Sequence, residues 1–385
     1  MRLINVHDYS MKEFYGHNIP AYAILSHMWG DDEVLLSDMN SKNQSEAYAK
    51  GGFAKIELCC KQAKLDGWDW AWVDTCCIDK TSSAELTEAI NSMFQWYSCA
   101  RVCYAYLADV TRTGDKGGED DVLSSAVGQS RWFKRGWTLQ ELIAPIEVEF
   151  FDESWKFLGS KSSWASFLEQ TTRIPKDVLR NAAAMRDIPV GQRMNWAFDR
   201  ETTREEDIAY CLLGIFDISM PLLYGEGPKA FMRLQEEIMK HEDDHTLFLW
   251  GLLPDFWFDY GQGSLRGGLL ARSPRNFSIC PEMRTRKIPP ECPWPLVSNR
   301  GVQIRFHLKP LPQDSWSLVG LDNGRHPWVG IRSVQLAALC CQIDDSSNLQ
   351  PWPLGSTPGE TVVALVLWQP AEAGPGVFHR YPGRI

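Results

Sequence analysis

Several features that would each name a function class are missing from this 385-residue sequence. No stretch approaches the ~18 consecutive apolar residues of a spanning helix, so no membrane span is expected. The opening MRLINVHDYS has no apolar signal-peptide core, which predicts a cytoplasmic chain. Cations are in the minority, 39 Lys and Arg against 49 Asp and Glu, and the net charge of −10 argues against nucleic acid as a main partner. None of the eleven cysteines lies in a C-x-x-C pair. The doublets Cys59-Cys60, Cys76-Cys77 and Cys340-Cys341 do not have zinc-site spacing, so no metal site is expected and the thiols read as reduced and buried. There is no G-x-x-x-x-G-K-[ST] phosphate loop and no internal repeat of about 20–50 residues.

What is abundant is tryptophan. Seventeen of them predict large aromatic cores or aromatic-lined pockets. A hydrophobic share of 44% beside 23% charge is a globular balance, and the length predicts two or three domains. Four continuous apolar runs read as buried strands: Ala21–Ser26, Trp68–Asp74, Arg101–Val110 and Ile146–Phe151. Between the first two, GGFAKIELCCKQAKLDG has helical spacing and Gly67 as a stop. Ser82-x-x-Glu85 is a capping box opening a helix with Leu86, Ile90, Met93, Phe94 and Tyr97 on one stripe. Strand alternating with helix in this way predicts an α/β fold, a parallel sheet wrapped by helices. Thr111 to Gln129 reads as an exposed loop. From Lys161 the pattern is helical, with Pro228 at the N1 position of a helix carrying Phe231, Leu234 and Ile238. After about His245 short alternating runs predict a β-rich C-terminal domain. The expected divisions are 1–155, 156–245 and 246–385.

Ligands of such sheets bind beyond the carboxyl ends of the strands. Ser26, His27, Trp29, Asp74 and Asp109 fall there. SRWFKRGWTLQELIAP, Ser130 to Pro145, leads into the fourth strand. Read as a helix from about Lys134, it sets Trp137 and Glu141 on one face at i and i+4. A carboxyl buried beside an indole has a raised pKa and becomes a candidate working group; alternatively Glu141 pairs with Arg131 or Arg135. Arg131, Lys134 and Arg135 suit either phosphates or a solvated face. Arg200, Arg204 and Glu205 to Asp207 read as a surface ion-pair network.

AYAILSHMWG, WAWVDTCCIDKTSSAELTEAINSMFQWY, RWFKRGWTLQELIAP and TTREEDIAYCLLGIFDISMPLLYGEGPKAFMRLQEEI together resemble the fungal heterokaryon-incompatibility (HET) family over roughly residues 1 to 245. That resemblance implies a cell-death effector of non-self recognition. HET domains in turn resemble TIR domains, which implies a TIR-like (flavodoxin-like) fold and an NAD⁺ glycohydrolase activity centred on one glutamate. Here Trp137, Thr138 and Glu141 match the TIR W-C-x-x-E signature, with Thr138 in the cysteine's place, and the loop Thr75 to Ser83 corresponds to the one over the TIR site. The resemblance makes Glu141 the catalytic residue. From their place at the strand ends and in the aromatic stretch, Ser26, His27, Trp29, Asp74 and Trp137 are expected to bind substrate, and Arg131 and Arg135 to contact phosphates. The resemblance also implies NAD⁺ or a related nucleotide as substrate with no separate cofactor, and a second copy of the chain or a signalling protein as partner. Two further readings stand beside it. One is a non-enzymatic module acting by self-association. The other is a hydrolase in which Cys76 or Cys77 pairs with His27.

Overall fold

A computed structural model describes residues 1–41, 44–112, 125–250 and 269–278, and beyond these the backbone of a set of strands. Part of the expected loop after Thr111 and much of the tail therefore lie outside the described residues. By backbone contacts the chain divides into two units, Met1–Met185 with Arg200–Tyr224, and Arg186–Asp199 with Gly225–Ile385.

The first unit is built on a seven-stranded sheet, β1 (Arg2–Asn5), β2 (Met11–Glu13), β3 (Ala23–His27), β4 (Trp70–Trp72), β5 (Val102–Tyr106), β6 (Val148–Phe151) and β7 (Phe157–Ser160), in the order β2-β1-β4-β3-β5-β6-β7. Its centre is parallel: Ala23 pairs with Ala71, Ser26 with Ala105 and Tyr106 with Phe151. All five residues of β3 are buried, the signature of a strand covered on both faces. The sheet is not parallel throughout as the sequence suggested. β1 pairs antiparallel with β4, β2 with β1, and β7 with β6. These three outer strands are three or four residues long, too short for an alternating pattern to register. Taken in chain order, the four parallel strands lie 2-1-3-4.

Helix α1 (Phe53–Leu65) buries Phe53, Ile56, Cys59, Cys60 and Ala63. It stops where Gly67 takes φ +82, a left-handed angle that a residue without Cβ reaches freely. Helix α2 (Ser83–Cys99) buries Ala89, Ile90, Met93 and Tyr97. Only half of its capping box forms. The Ser82 hydroxyl accepts from the Glu85 N–H at 3.3 Å, while the Glu85 carboxylate turns to the Asp79 N–H and to Arg2. Helix α3 (Thr138–Ile143) has every residue buried.

In the second unit, Pro228 is the N-cap of the helix Lys229–His241, one place before the N1 position expected. Asp244 accepts from the N–H groups of Val190 and Thr246 at 2.7 and 2.8 Å. Gln235 brackets Ala271, donating to its carbonyl and accepting from its N–H. Strand Ile331–Ile343 pairs antiparallel with Val362–Pro370, His307–Pro310 and Met283–Thr285. Leu296–Ser298 pairs antiparallel with Gly301–Gln303.

Candidate functional site

Glu141 enters the interior on α3, which starts later than its sequence suggests. Residues Arg131–Lys134 form a separate 3₁₀ turn, capped by the Ser130 hydroxyl. Arg135 is extended and bridges to Glu201: the Gly136 N–H donates to the Glu201 carbonyl at 2.8 Å, and the Glu201 N–H to that of Lys134 at 2.6 Å. This pairing holds 134–136 out of helical geometry. It also requires Gly136, because a Cβ there would lie 2.5 Å from Thr202 Cγ2. The Arg200 guanidinium braces the junction, donating to the Arg135 carbonyl and to Thr138 Oγ1 at 2.9 Å each. Arg200 is 3% exposed, so it is an internal brace, not part of a surface network. At the other end of α3, buried Lys161 donates to the carbonyls of Ile143 and Pro145.

Within this frame the Ser26 hydroxyl, at the end of β3, donates to Glu141 Oε2. The Trp132 indole donates to Ser26 Oγ at 2.8 Å. Tyr97 from α2 reaches the same carboxyl and donates to the Leu25 carbonyl at 3.0 Å. Glu141 is 6% exposed. Burial first, then the charge of Asp74, push its carboxyl up to about 8; Ser26, Arg135 and Tyr97 pull the other way without cancelling that rise. Neither arginine forms the ion pair with Glu141 that the sequence allowed. Arg131 is exposed and lies 3.5 Å from Asp109, which also accepts from the Ser130 hydroxyl and the Arg131 N–H. Arg135 acts on Glu141 only through its charge. The indole joined to the Glu141 network is that of Trp132; Trp137 hydrogen-bonds Asp207 instead.

A second group stands beside the first. Asp74, which opens the short helix after β4, accepts from His27 Nε2 at 3.0 Å and from the Trp29 indole at 2.7 Å. Burial alone would raise the Asp74 carboxyl, but the hydrogen bond and charge of His27, with Lys80 and Arg135, hold it well below the usual range. His27 Nδ1 lies 3.2 Å from the Met28 carbonyl. Both ring nitrogens face acceptors, so the imidazole is engaged as a structural donor. Trp29 is 42% exposed, and cations lie over its ring: Lys80 Nζ at 3.4 Å and the Arg135 guanidinium at 5.6 Å from the centroid.

The structure thus brings Ser26, His27, Trp29, Asp74, Arg135 and Glu141 into one electrostatically linked cluster, and leaves Arg131 and Trp137 directed elsewhere. Cys76 is fully buried beside it. A hydrogen bond to Cys77 and burial raise the Cys76 thiol far above its ordinary value, which disfavours the thiolate a nucleophile needs. Among the described residues no cluster of His, Cys, Asp or Glu is placed to hold a metal ion, and no helix is long and apolar enough to cross a membrane. Sequence reasoning missed three members of the site. Trp132 was one of two indoles in the same stretch, Tyr97 read as plain core, and Lys80 lay unremarked in the loop expected over the site.

Residues 22–122 match the family model described as heterokaryon incompatibility protein (HET). Over 232 residues, 60% of the chain, the sequence is 48% identical to the vegetative incompatibility protein HET-E-1 of Podospora anserina. The chain spans 17% of that relative's length. No solved structure matches the chain.

Proposed function

The chain carries a heterokaryon-incompatibility domain, and from that premise we propose that it is a cell-death effector of fungal non-self recognition that hydrolyses the nicotinamide–ribose bond of NAD⁺. The observation that carries this reading is the placing of Glu141. A single buried carboxyl meets the C-terminal end of β3, hydrogen-bonded by Ser26. In a 2-1-3-4 strand order the first and third strands, β3 and β5, flank the topological switch point where doubly wound sheets bind nucleotides. That order also supports a TIR-like arrangement.

The chemistry asks for little else. The C1′–N bond breaks with its electron pair leaving on the nicotinamide nitrogen, and water adds to C1′ to give ADP-ribose, nicotinamide and a proton. The transition state is oxocarbenium-like and its leaving group needs no protonation. One ionised carboxylate beside C1′ supplies the stabilisation. The pyridinium charge of bound NAD⁺ favours ionisation of Glu141, whose carboxyl is otherwise held neutral by burial. Ser26 and Tyr97 orient that carboxyl, and we assign the ribose hydroxyls to Asp74, held ionised and accessible over 19% of its side chain.

A second reading has its own observation. Glu141 is 6% exposed and one oxygen is already taken by Ser26, which suits a neutral structural carboxyl inside a non-enzymatic, self-associating module. Expression of the chain in fungal cells, with NAD⁺ measured before viability falls, tests the choice. An effector that hydrolyses NAD⁺ depletes it first, and Glu141→Gln abolishes both effects. Death with NAD⁺ intact favours the module.

A further inference from the structure

Lys80 occupies an unusual position. Its Nζ is enclosed and hydrogen-bonds nothing among the described residues, so burial lowers its pKa even though Asp74 opposes that shift. The ammonium rests on the Trp29 ring, 3.4 Å from the centroid. Over the same ring the Arg135 guanidinium makes no hydrogen bond or salt bridge among the described residues. Asp74, which feels the charge of both cations, accepts from His27 on one oxygen and from Trp29 on the other. Two cations thus converge on one indole, and neither hydrogen-bonds a carboxylate among the described residues. An ammonium stripped of water and unpaired is destabilising until an acceptor arrives.

We propose that Lys80 and Arg135, converging over Trp29, form an anion subsite that takes the diphosphate of a dinucleotide. The identity of that anion rests on the NAD⁺ reading; the subsite itself rests on the geometry. Lys80 shifts from the ring to a phosphate oxygen, which frees the Trp29 face for a base. Arg135 adds a planar fork for the second phosphate. Arg131, exposed and paired with Asp109, takes no part.

Calorimetric titration of the full chain with ADP-ribose, and separately with inorganic pyrophosphate, tests this. Lys80→Met is expected to weaken both about 10-fold or more, as loss of a charged hydrogen bond does. Its melting temperature should hold or rise, because an unpaired buried charge is gone. Arg131→Ala should change neither affinity by more than about twofold. A folded Lys80→Met that binds like wild type, or a wild type that binds neither probe, overturns the subsite. Should Lys80→Met not fold, the wild type decides: affinity that does not fall between about 50 and 300 mM salt overturns it too. Failure of the enzymatic reading looks different. In that case the wild type consumes no NAD⁺ yet binds ADP-ribose through Lys80.

Discussion

Replacing Glu141 with Gln should change stability in a way that depends on pH, and the sign follows from burial. The carboxyl moves from an ordinary 4.5 to about 8 in the folded chain. A raised carboxyl pKa means that the folded state holds a proton that the unfolded state has released. The associated stability is whole below about pH 4.5, is lost as pH rises toward about 8, and is constant beyond. Each unit of pH in that window is worth about 1.4 kcal/mol. The wild type should therefore have lost about 3 kcal/mol at pH 7 and less than about 1 kcal/mol at pH 5. Glutamine stays neutral at both and keeps a partner for the Ser26 hydroxyl. Urea unfolding of both proteins from pH 5 to 8.5 should show curves that nearly coincide at the acid end and separate in favour of the variant. If the carboxyl is instead ionised and paired with Arg135, the variant strands a buried charge. It would then be weaker by about 3–5 kcal/mol at neutral pH, and that result refutes the reasoning.

Three further outcomes can be checked directly. Gly136→Ala should destabilise by about 1–3 kcal/mol through the clash with Thr202 Cγ2, and Thr202→Ser, which removes that methyl, should restore much of the loss in denaturant midpoints. Lys161→Met should weaken the fold by about 1–3 kcal/mol in thermal unfolding, because the Ile143 and Pro145 carbonyls lose their buried donor. Iodoacetamide at neutral pH should label exposed Cys99 well before buried Cys76; early labelling of Cys76 by mass spectrometry would revive the cysteine-hydrolase reading.

The parallel core was legible because burial on both faces leaves continuous apolar runs, and the first two ended in Ser26 and Asp74, which lie at or just beyond the ends of β3 and β4. Ser26 and Asp74 were readable on that ground, and Glu141 from its place in a tryptophan-rich stretch. The start of α3 was not readable. Helical spacing ran through Lys134 to Trp137, but the pairing of residues 134–136 with Glu201 comes from a segment about 65 residues away and overrides local preference. For the same reason the two indoles changed places: the break at Arg135 sends Trp132 to Ser26 and leaves Trp137 to Asp207. Arg200 read as surface because its charge suggested water, whereas its partners are a buried carbonyl and a buried hydroxyl. Lys80 is the instructive omission, since a lone lysine in a loop has no pattern until the fold sets it on an indole.

The central claim is that the Glu141 carboxylate breaks the nicotinamide–ribose bond. Nicotinamide release from NAD⁺ by the purified full chain, with wild type and Glu141→Gln compared between pH 6.5 and 9, tests it most directly. Wild-type kcat/KM is expected to rise through about pH 8 as the free carboxyl ionises, and the variant to be reduced about 10²–10³-fold while still folded. Equal release by the two proteins, or a folded wild type that releases none at any pH, would contradict it.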